Sequence, residues 1–346
     1  MTLQNDFPAL KSSIYLNTAY VGLMSKPLYE FRTTSEKKYL FSGDRYKIEA
    51  YEQLHQTHDT IANFIGANGE QTFFVSNFST GIRYVLDLLQ KGSKVMCFED
   101  DYPSLVAAVV ERDFDLYTFS IDEFLEEKIE KALLENKVDA LVLSLVQYAS
   151  GLKIDFEFLH QIKEKYPKLL LIGDATQHIG SDHFDFASSP FDAVISSGYK
   201  WLLAGFGNGF VALSDRFLEV SQQSKEKIFD KIYAGHFNIL GAASLVFAIN
   251  YLIKNDFDQL VNRNKMLSNF LREKLQQMGW VPVFGQRVPK SQITSYIYRE
   301  GVVKNLEAKN ISLAHRKNYL RFSPHFYNTE AEIEELVEIV KKLNIS

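Results

Sequence analysis

The chain has 346 residues, of which 46% are hydrophobic and 23% charged, which suits a soluble globular protein with a substantial buried core. A net charge of -5 leaves no basic footprint for nucleic acid or an anionic membrane, and no apolar run approaches the ~18 residues of a bilayer-spanning helix. The first residues, MTLQNDFPALKSS, lack a basic n-region and an apolar h-region, and the single cysteine, Cys97, rules out an intrachain disulfide; a reducing, cytoplasmic setting is expected.

In chain order, Tyr15 to Gly22 (YLNTAYVG) reads as a short strand or extended segment entering a turn. Helices are expected over Pro27 to Ser42 and over Arg45 to Ile65. Phe73-Phe74-Val75 reads as a strand, and the turn Ser76 to Gly81 leads into a helix carrying Ile82, Val85, Leu86 and Leu89. A small polar turn at a helix N-terminus offers free N–H groups to an anion, or simply an N-cap through Ser79 or Thr80. Further strands are expected at Val95 to Phe98, Leu116 to Phe119, Ala140 to Val146, Leu169 to Ile172, Asp192 to Ser196 and Gly209 to Leu213. The helices between them are expected to run to about Arg112, over Asp122 to Asn136 and over Phe156 to Tyr166.

Apolar strands alternating with helices describe a mostly parallel sheet covered on both faces. Beyond Asp215 a polar helix leads to Tyr233 to Asn238. Long helices follow over Ile239 to Ile253 and Leu260 to Met278, then short strands at Val281 to Val283, Ser295 to Tyr298 and Tyr319 to Ser323. A closing helix is expected over Thr329 to Leu343. Residues 1–238 thus read as a large domain and 239–346 as a connecting helix with a smaller α+β domain, residues 1–15 packing with the latter.

Ligands bind at the carboxyl ends of strands in such sheets. The polar sets around Asn77, Tyr102, Gln147, Asp174 and Lys200 all fall there and should converge. Lys200 sits in FDAVISSGYKWLLAGFGNGF, where a buried strand delivers one lysine to a turn. Read alone, it fits a loop lysine whose stem is buried and whose ammonium reaches water. In company with a carboxylate and an anion cup it fits a lysine that forms a Schiff base with a carbonyl.

A Schiff-base lysine, a carboxylate and a phosphate cup together match pyridoxal 5′-phosphate (PLP). Lys200 would carry the cofactor and Asp174 would pair with its pyridine nitrogen. Phe78 and Ser79, with Ser197 and Tyr199, would hold the phosphate. Tyr102 would stack on the ring and Gln177 would reach the phenolic oxygen, with Gln147 at the next strand end.

The segments YLNTAYVG, VSNFSTGIRYVL, EDDYPSLVAAV, VQYASG, DATQHIG, SSGYK, YAGHFN and LRFSPHFYNTEAEIEELV follow one another in an order and spacing that resembles the class V aminotransferase family. That family of fold type I PLP enzymes includes cysteine desulfurases, isopenicillin N epimerase-like proteins and kynureninases. The resemblance implies an α/β large domain with a seven-stranded sheet and a small C-terminal domain. It implies Lys200 as the Schiff-base lysine, Asp174 as the pyridinium partner, Gln177 on the phenolic oxygen, and Ser197 and Tyr199 on the phosphate. It also implies that Gly235 and His236 reach a neighbouring subunit's phosphate in a homodimer with shared sites, and that Arg321 grips a substrate carboxylate. Tyr20 is placed with Arg321 on the substrate side.

Departures narrow the activity. The segment ISLAHRKN before Arg321 has no cysteine where desulfurases carry their nucleophile, and Cys97 lies in an expected strand, where it reads as an inert core thiol. The expected function is therefore a PLP enzyme acting at the α-carbon of an amino acid, foremost an aminotransferase. A lyase or epimerase that eliminates without a cysteine nucleophile is the alternative, and a silent PLP-binding protein a third reading. His178 and His183 lack a third metal ligand at suitable spacing, and Gly205, Gly207 and Gly209 read as a turn rather than a dinucleotide fingerprint. No metal is expected. His315 and His325 flank Arg321 and could touch substrate.

Overall fold

A computed structural model describes residues 3–288, 290–298 and 301–342. The chain opens with a short strand, β1 (Ile14–Tyr15), and three helices, α1 (Lys26–Ser42), α2 (Asp44–Glu52) and α3 (Leu54–Ile65). Ser25 caps α1 by accepting the Leu28 N–H, with a proline in the first turn where no N–H is needed. The sequence suggests one helix over Arg45 to Ile65, but it breaks at Gln53. Only α3 has a face to bury, through Leu54, Ile61, Ala62 and Ile65, whereas α2 buries no residue.

The central unit alternates β2 (Thr72–Val75), α4 (Phe78–Leu86), β3 (Lys94–Phe98), α5 (Pro103–Val110), β4 (Asp115–Phe119), α6 (Leu125–Glu135), β5 (Ala140–Ser144), α7 (Phe156–Lys165), β6 (Leu170–Asp174), β7 (Ala193–Ser197) and β8 (Gly209–Leu213). Its seven strands lie in the order β2-β8-β7-β6-β5-β3-β4, parallel except for β8, which runs antiparallel to both neighbours. Strands β5 to β8 are buried at every position, which explains their unbroken apolar runs. Two apolar clusters cover the two faces of the sheet. Residues of alternating strand positions separate between them, Leu141 and Leu143 in one, Ala140 and Val142 in the other.

The single polar helix expected after Asp215 is two short ones, α8 (Asp215–Ser221) and α9 (Lys225–Ile232), interrupted by Gln222 in the left-handed conformation at φ 54°. The long helices α10 (Ile239–Lys254) and α11 (Phe257–Gln277) follow. The buried face of α10 (Ala242, Leu245, Ile249, Leu252) joins the cluster on one face of the main sheet.

Next come β9 (Thr294–Ile297), α12 (Val302–Glu307), β10 (Ile311–Ser312), β11 (Ala314–Arg316), β12 (Tyr319–Phe322) and α13 (Glu330–Lys342). Strands β11, β12 and β9 form an antiparallel sheet, and β10 pairs in parallel with β1. A separate cluster holds Leu267, Leu271, Trp280, Tyr296, Phe322, Leu336 and the N-terminal Ile14 and Leu16. The strand expected over Val281 to Val283 is reduced to one bridge, Pro282 to Tyr296, because proline has no N–H to extend a ladder. Of the closing helix, Leu343 lies outside the described residues.

Candidate active site

Parallel pairing aligns the carboxyl ends of the central strands. Ser144 on β5 stands opposite Asp174 on β6, and Asp174 opposite Ile195 on β7. Strand β7 then ends at Ser197, and the turn Gly198 to Lys200 delivers the lysine. Its side chain is only 6% exposed, with Nζ 5.4 Å from the Tyr102 ring centroid and 5.5 Å from that of Tyr199.

Burial pulls the Lys200 amine down to about 8; the Asp174 charge opposes this, and Arg321 and Arg316 add to it. Burial pushes the Asp174 carboxyl up to about 6, against hydrogen bonds from Thr176, whose N–H donates to Oδ1 at 2.9 Å, and against the Lys200 charge. A buried carboxylate lifted this way lacks a full counter-charge. A protonated pyridine nitrogen is the chemistry that would restore it.

The lysine turn is clasped from behind. Gly22 N–H donates to the Tyr199 carbonyl at 2.9 Å, and a side chain at Gly22 would meet the Lys200 carbonyl oxygen at 2.0 Å. Trp201 Nε1 donates to Gln177 Oε1 at 2.8 Å, while Gln177 Nε2 donates to the Ala19 carbonyl at 2.9 Å. One Nε2 proton of Gln177 thus remains for a ligand. His325 accepts the Phe326 N–H at Nδ1 (2.8 Å), so its Nε2–H is directed to the Trp201 carbonyl at 3.1 Å. Both nitrogens of His325 are occupied and its ring is buried. It supports the lysine segment rather than facing a substrate.

At the start of α4, Asn77 Oδ1 accepts the Thr80 N–H at 2.9 Å, and Ser197 Oγ accepts the Phe78 N–H at 2.8 Å. Ser104 Oγ donates to Ser79 Oγ at 2.6 Å. Capping thus occupies two N–H groups of the first turn, and the Ser79 N–H and the serine hydroxyls are the donors this turn has left for an anion. Tyr102 contacts Phe78 edge-on, with ring centroids 5.8 Å apart.

Arg321 on β12 is 1% exposed. Nη1 donates to the Tyr148 carbonyl, whereas Nε and Nη2 are buried with no partner among the described residues. Burial, with Arg316 adding to it, draws the guanidinium down to about 9. A buried cation with two unused donors is an incomplete bidentate site for a carboxylate.

Lys200, Asp174, Tyr102, Tyr199, Ser197, Phe78 and Ser79 form one connected set, with Arg321 coupled to it by charge. Gln147 braces its own turn and, like Gln177, keeps one Nε2 proton: Oε1 accepts from Ala149 N–H (2.7 Å) and Ser150 N–H (2.6 Å), and Nε2 donates once, to the Asp100 carbonyl (3.2 Å). Gly235 and His236 are exposed and stand outside the set; His236 Nδ1 meets the Tyr51 hydroxyl at 2.9 Å. Tyr20 is 55% exposed and carries the Arg316 guanidinium over its ring at 4.5 Å. A cavity of about 760 Å³ between α1, α2, α3 and α10 touches none of these residues.

Sequence reasoning missed Arg316, Asp101 and Trp201. Asp101 is fully buried and accepts from Ser144 N–H (2.8 Å) and Tyr102 N–H (2.7 Å), which fixes the loop carrying Tyr102. Its place beside Tyr102 in EDDYPS was the only signal. Cys97 is inaccessible, and burial lifts its thiol to about 12. Among the described residues no three metal-ligating side chains cluster; His178 is buried and His183 lies 3.7 Å from Asp258.

Against known proteins, residues 30–336 match the model of the family described as aminotransferase class-V. A probable cysteine desulfurase of Borreliella burgdorferi is 23% identical, with 99% of this chain and 95% of the relative covered. Isopenicillin N epimerase of Amycolatopsis lactamdurans is 23% identical over 95% of this chain and 94% of its own. The fold of an apo cysteine desulfurase from Thermococcus onnurineus superposes with a TM-score of 0.83 at 18% identity, covering 99% of this chain and 97% of that one. On the family match, which spans residues 30–336, the chain belongs to the class V aminotransferase family of PLP-dependent enzymes.

Proposed function

We propose that this enzyme acts at the α-carbon of an amino acid and that it is an aminotransferase. The observation that carries the reading is Arg321, a buried guanidinium with two unpartnered nitrogens at the edge of the Lys200–Asp174 pair. When bound, PLP supplies an aldehyde for Lys200 and a ring that withdraws electrons from the α-carbon. Asp174 would hold charge at the pyridine nitrogen, Tyr102 would cover the ring, and Gln177 would offer its remaining proton to the phenolic oxygen. Ser79, Ser197 and Tyr199 would hold the phosphate. Arg321 binds the α-carboxylate through Nε and Nη2, orienting the α-hydrogen toward Lys200. Lys200 Nζ, released when the substrate's amine takes its place on the aldehyde carbon and drawn toward neutrality by burial, would take that proton as a general base.

A single turnover with excess amino acid and no keto-acid acceptor tests this. Aminotransfer yields one equivalent of keto acid per site and stops until an acceptor is added. Continuous release of keto acid with a leaving group would instead show elimination, the second reading, which the likeness to cysteine desulfurases favours. Elimination would have to proceed without a protein persulfide, because Cys97 is buried and β11 and its flanking turns carry no cysteine.

A homodimer with shared sites is part of the proposal. Helix α1 exposes Tyr29, Tyr39, Leu40 and Phe41, an apolar surface that a second copy would cover, and the exposed Gly235-His236 turn is free to reach a partner's phosphate. Sedimentation equilibrium should give twice the chain mass; a monomer with full activity would overturn this part.

A further inference from the structure

Arg316 closes β11 in the hairpin that carries Arg321: Arg316 pairs with Tyr319, and Ala314 with Arg321. Its guanidinium lies over the exposed Tyr20 ring, with Cζ 4.5 Å from the centroid. Nη1 donates to the His315 carbonyl at 2.9 Å, and no carboxylate among the described residues pairs with it. Asp100, whose charge reaches the same Tyr148 that Arg316 acts on, is taken by Lys317 at 3.5 Å. A cation–π contact of this kind leaves guanidinium N–H groups for other partners.

Arg316 and Ala314 share one face of β11, and Ala314 pairs with Arg321, so the two arginines lie on the same face of the hairpin. Arg316 acts electrostatically on both Lys200 and Arg321. The buried carboxylates of the site, Asp174 and Asp101, thus stand with three cations, Lys200, Arg316 and Arg321. An α-carboxylate on Arg321 neutralises one of them and leaves Arg316 without a counter-ion at the Tyr20 side.

We propose that Arg316 is a specificity-determining residue that binds the terminal carboxylate of an acidic amino acid, with Arg321 on its α-carboxylate; this rests on the reading of Arg321 given above. The Tyr20 ring, 4.5 Å from Cζ, holds the guanidinium in place by a cation–π contact before substrate arrives.

Calorimetric titration of the PLP-loaded enzyme tests this with two diacids, succinate and glutarate, and their half-amides, succinamate and glutaramate. The wild type should bind the better diacid about 10- to 100-fold more tightly than its half-amide, as a charge-assisted hydrogen bond allows. Arg316→Gln should bring that ratio to within about twofold, and Arg316→Lys should retain part of it. Equal affinity for diacid and half-amide in the wild type, no binding of either diacid, or an unchanged ratio in R316Q would overturn the proposal. Should R316Q fail to fold, R316K and R316M carry the same comparison. Arg321→Gln separates the two readings: it should weaken diacid and half-amide alike, and a variant that binds both as the wild type does would sink the Arg321 assignment instead.

Discussion

Arg321 and Tyr148 are joined by a single hydrogen bond, from the guanidinium Nη1 to the Tyr148 carbonyl, while Nε and Nη2 remain buried and unpartnered among the described residues. Such a group is costly to the ligand-free fold, and a carboxylate on its two unpartnered nitrogens would relieve that cost. Arg321→Met should therefore raise the thermal midpoint of the ligand-free protein while lowering kcat/KM for amino acids by about 10²–10³-fold. Amines without a carboxylate should be affected far less. Calorimetric melting and a paired substrate panel check both halves. A variant that melts lower and loses carboxylate and carboxylate-free substrates equally would contradict the role.

Lys200 gives a pH-dependent prediction. Its amine titrates at about 8 in the folded protein against 10.5 ordinarily, so between these values the unfolded chain binds the additional proton. Stability of the ligand-free protein therefore rises with pH across that window, and the cost of the buried ammonium is fully expressed below it. Lys200→Met removes the titrating group. The margin between variant and wild type should move in the wild type's favour from pH 8 toward pH 10. Denaturant melts at several pH values measure the margin, and one that does not change with pH would count against the depressed amine.

The strand ends were legible from sequence because each buried strand stops at a short polar turn, as at Asp174-Ala175-Thr176-Gln177 and Ser196-Ser197-Gly198. The parallel order follows from strand and helix alternation, and it converts those scattered turns into one edge. What could not be read was which polar atoms are already spent. Gln147 looks like a ligand from its place after β5, and its amide oxygen is already held by its own turn, so only its nitrogen has a proton to offer. His325 looks like a neighbour of Arg321, yet it faces Trp201. Arg316 was hidden for the opposite reason. It lies five residues before Arg321 in a polar stretch, and only the hairpin and the Tyr20 ring give it a position.

The Trp201–Gln177 hydrogen bond predicts a structural cost separate from catalysis. Trp201→Phe keeps the ring but leaves Gln177 Oε1 buried without its donor, a loss of about 1–3 kcal/mol. Urea denaturation of the PLP-loaded protein should show a lowered midpoint with an unchanged slope. An unaltered midpoint would mean that Gln177 finds another donor.

Cys97 is the one cysteine in the chain. With its side chain buried and its thiol lifted to about 12, it should resist thiol reagents in the native state and react once the chain is unfolded. Cys97→Ala should leave turnover within about twofold of the wild type, at the modest stability change expected for a small core substitution. Loss of activity in C97A would revive a sulfur-carrying role.

The most direct test of the whole account is borohydride treatment of the purified protein loaded with PLP, followed by peptide mass mapping. The account predicts a visible absorbance band that borohydride abolishes, with the reduced cofactor's mass fixed to the peptide containing Lys200. A protein that stays colourless with added PLP, or a tag on another lysine, would contradict it.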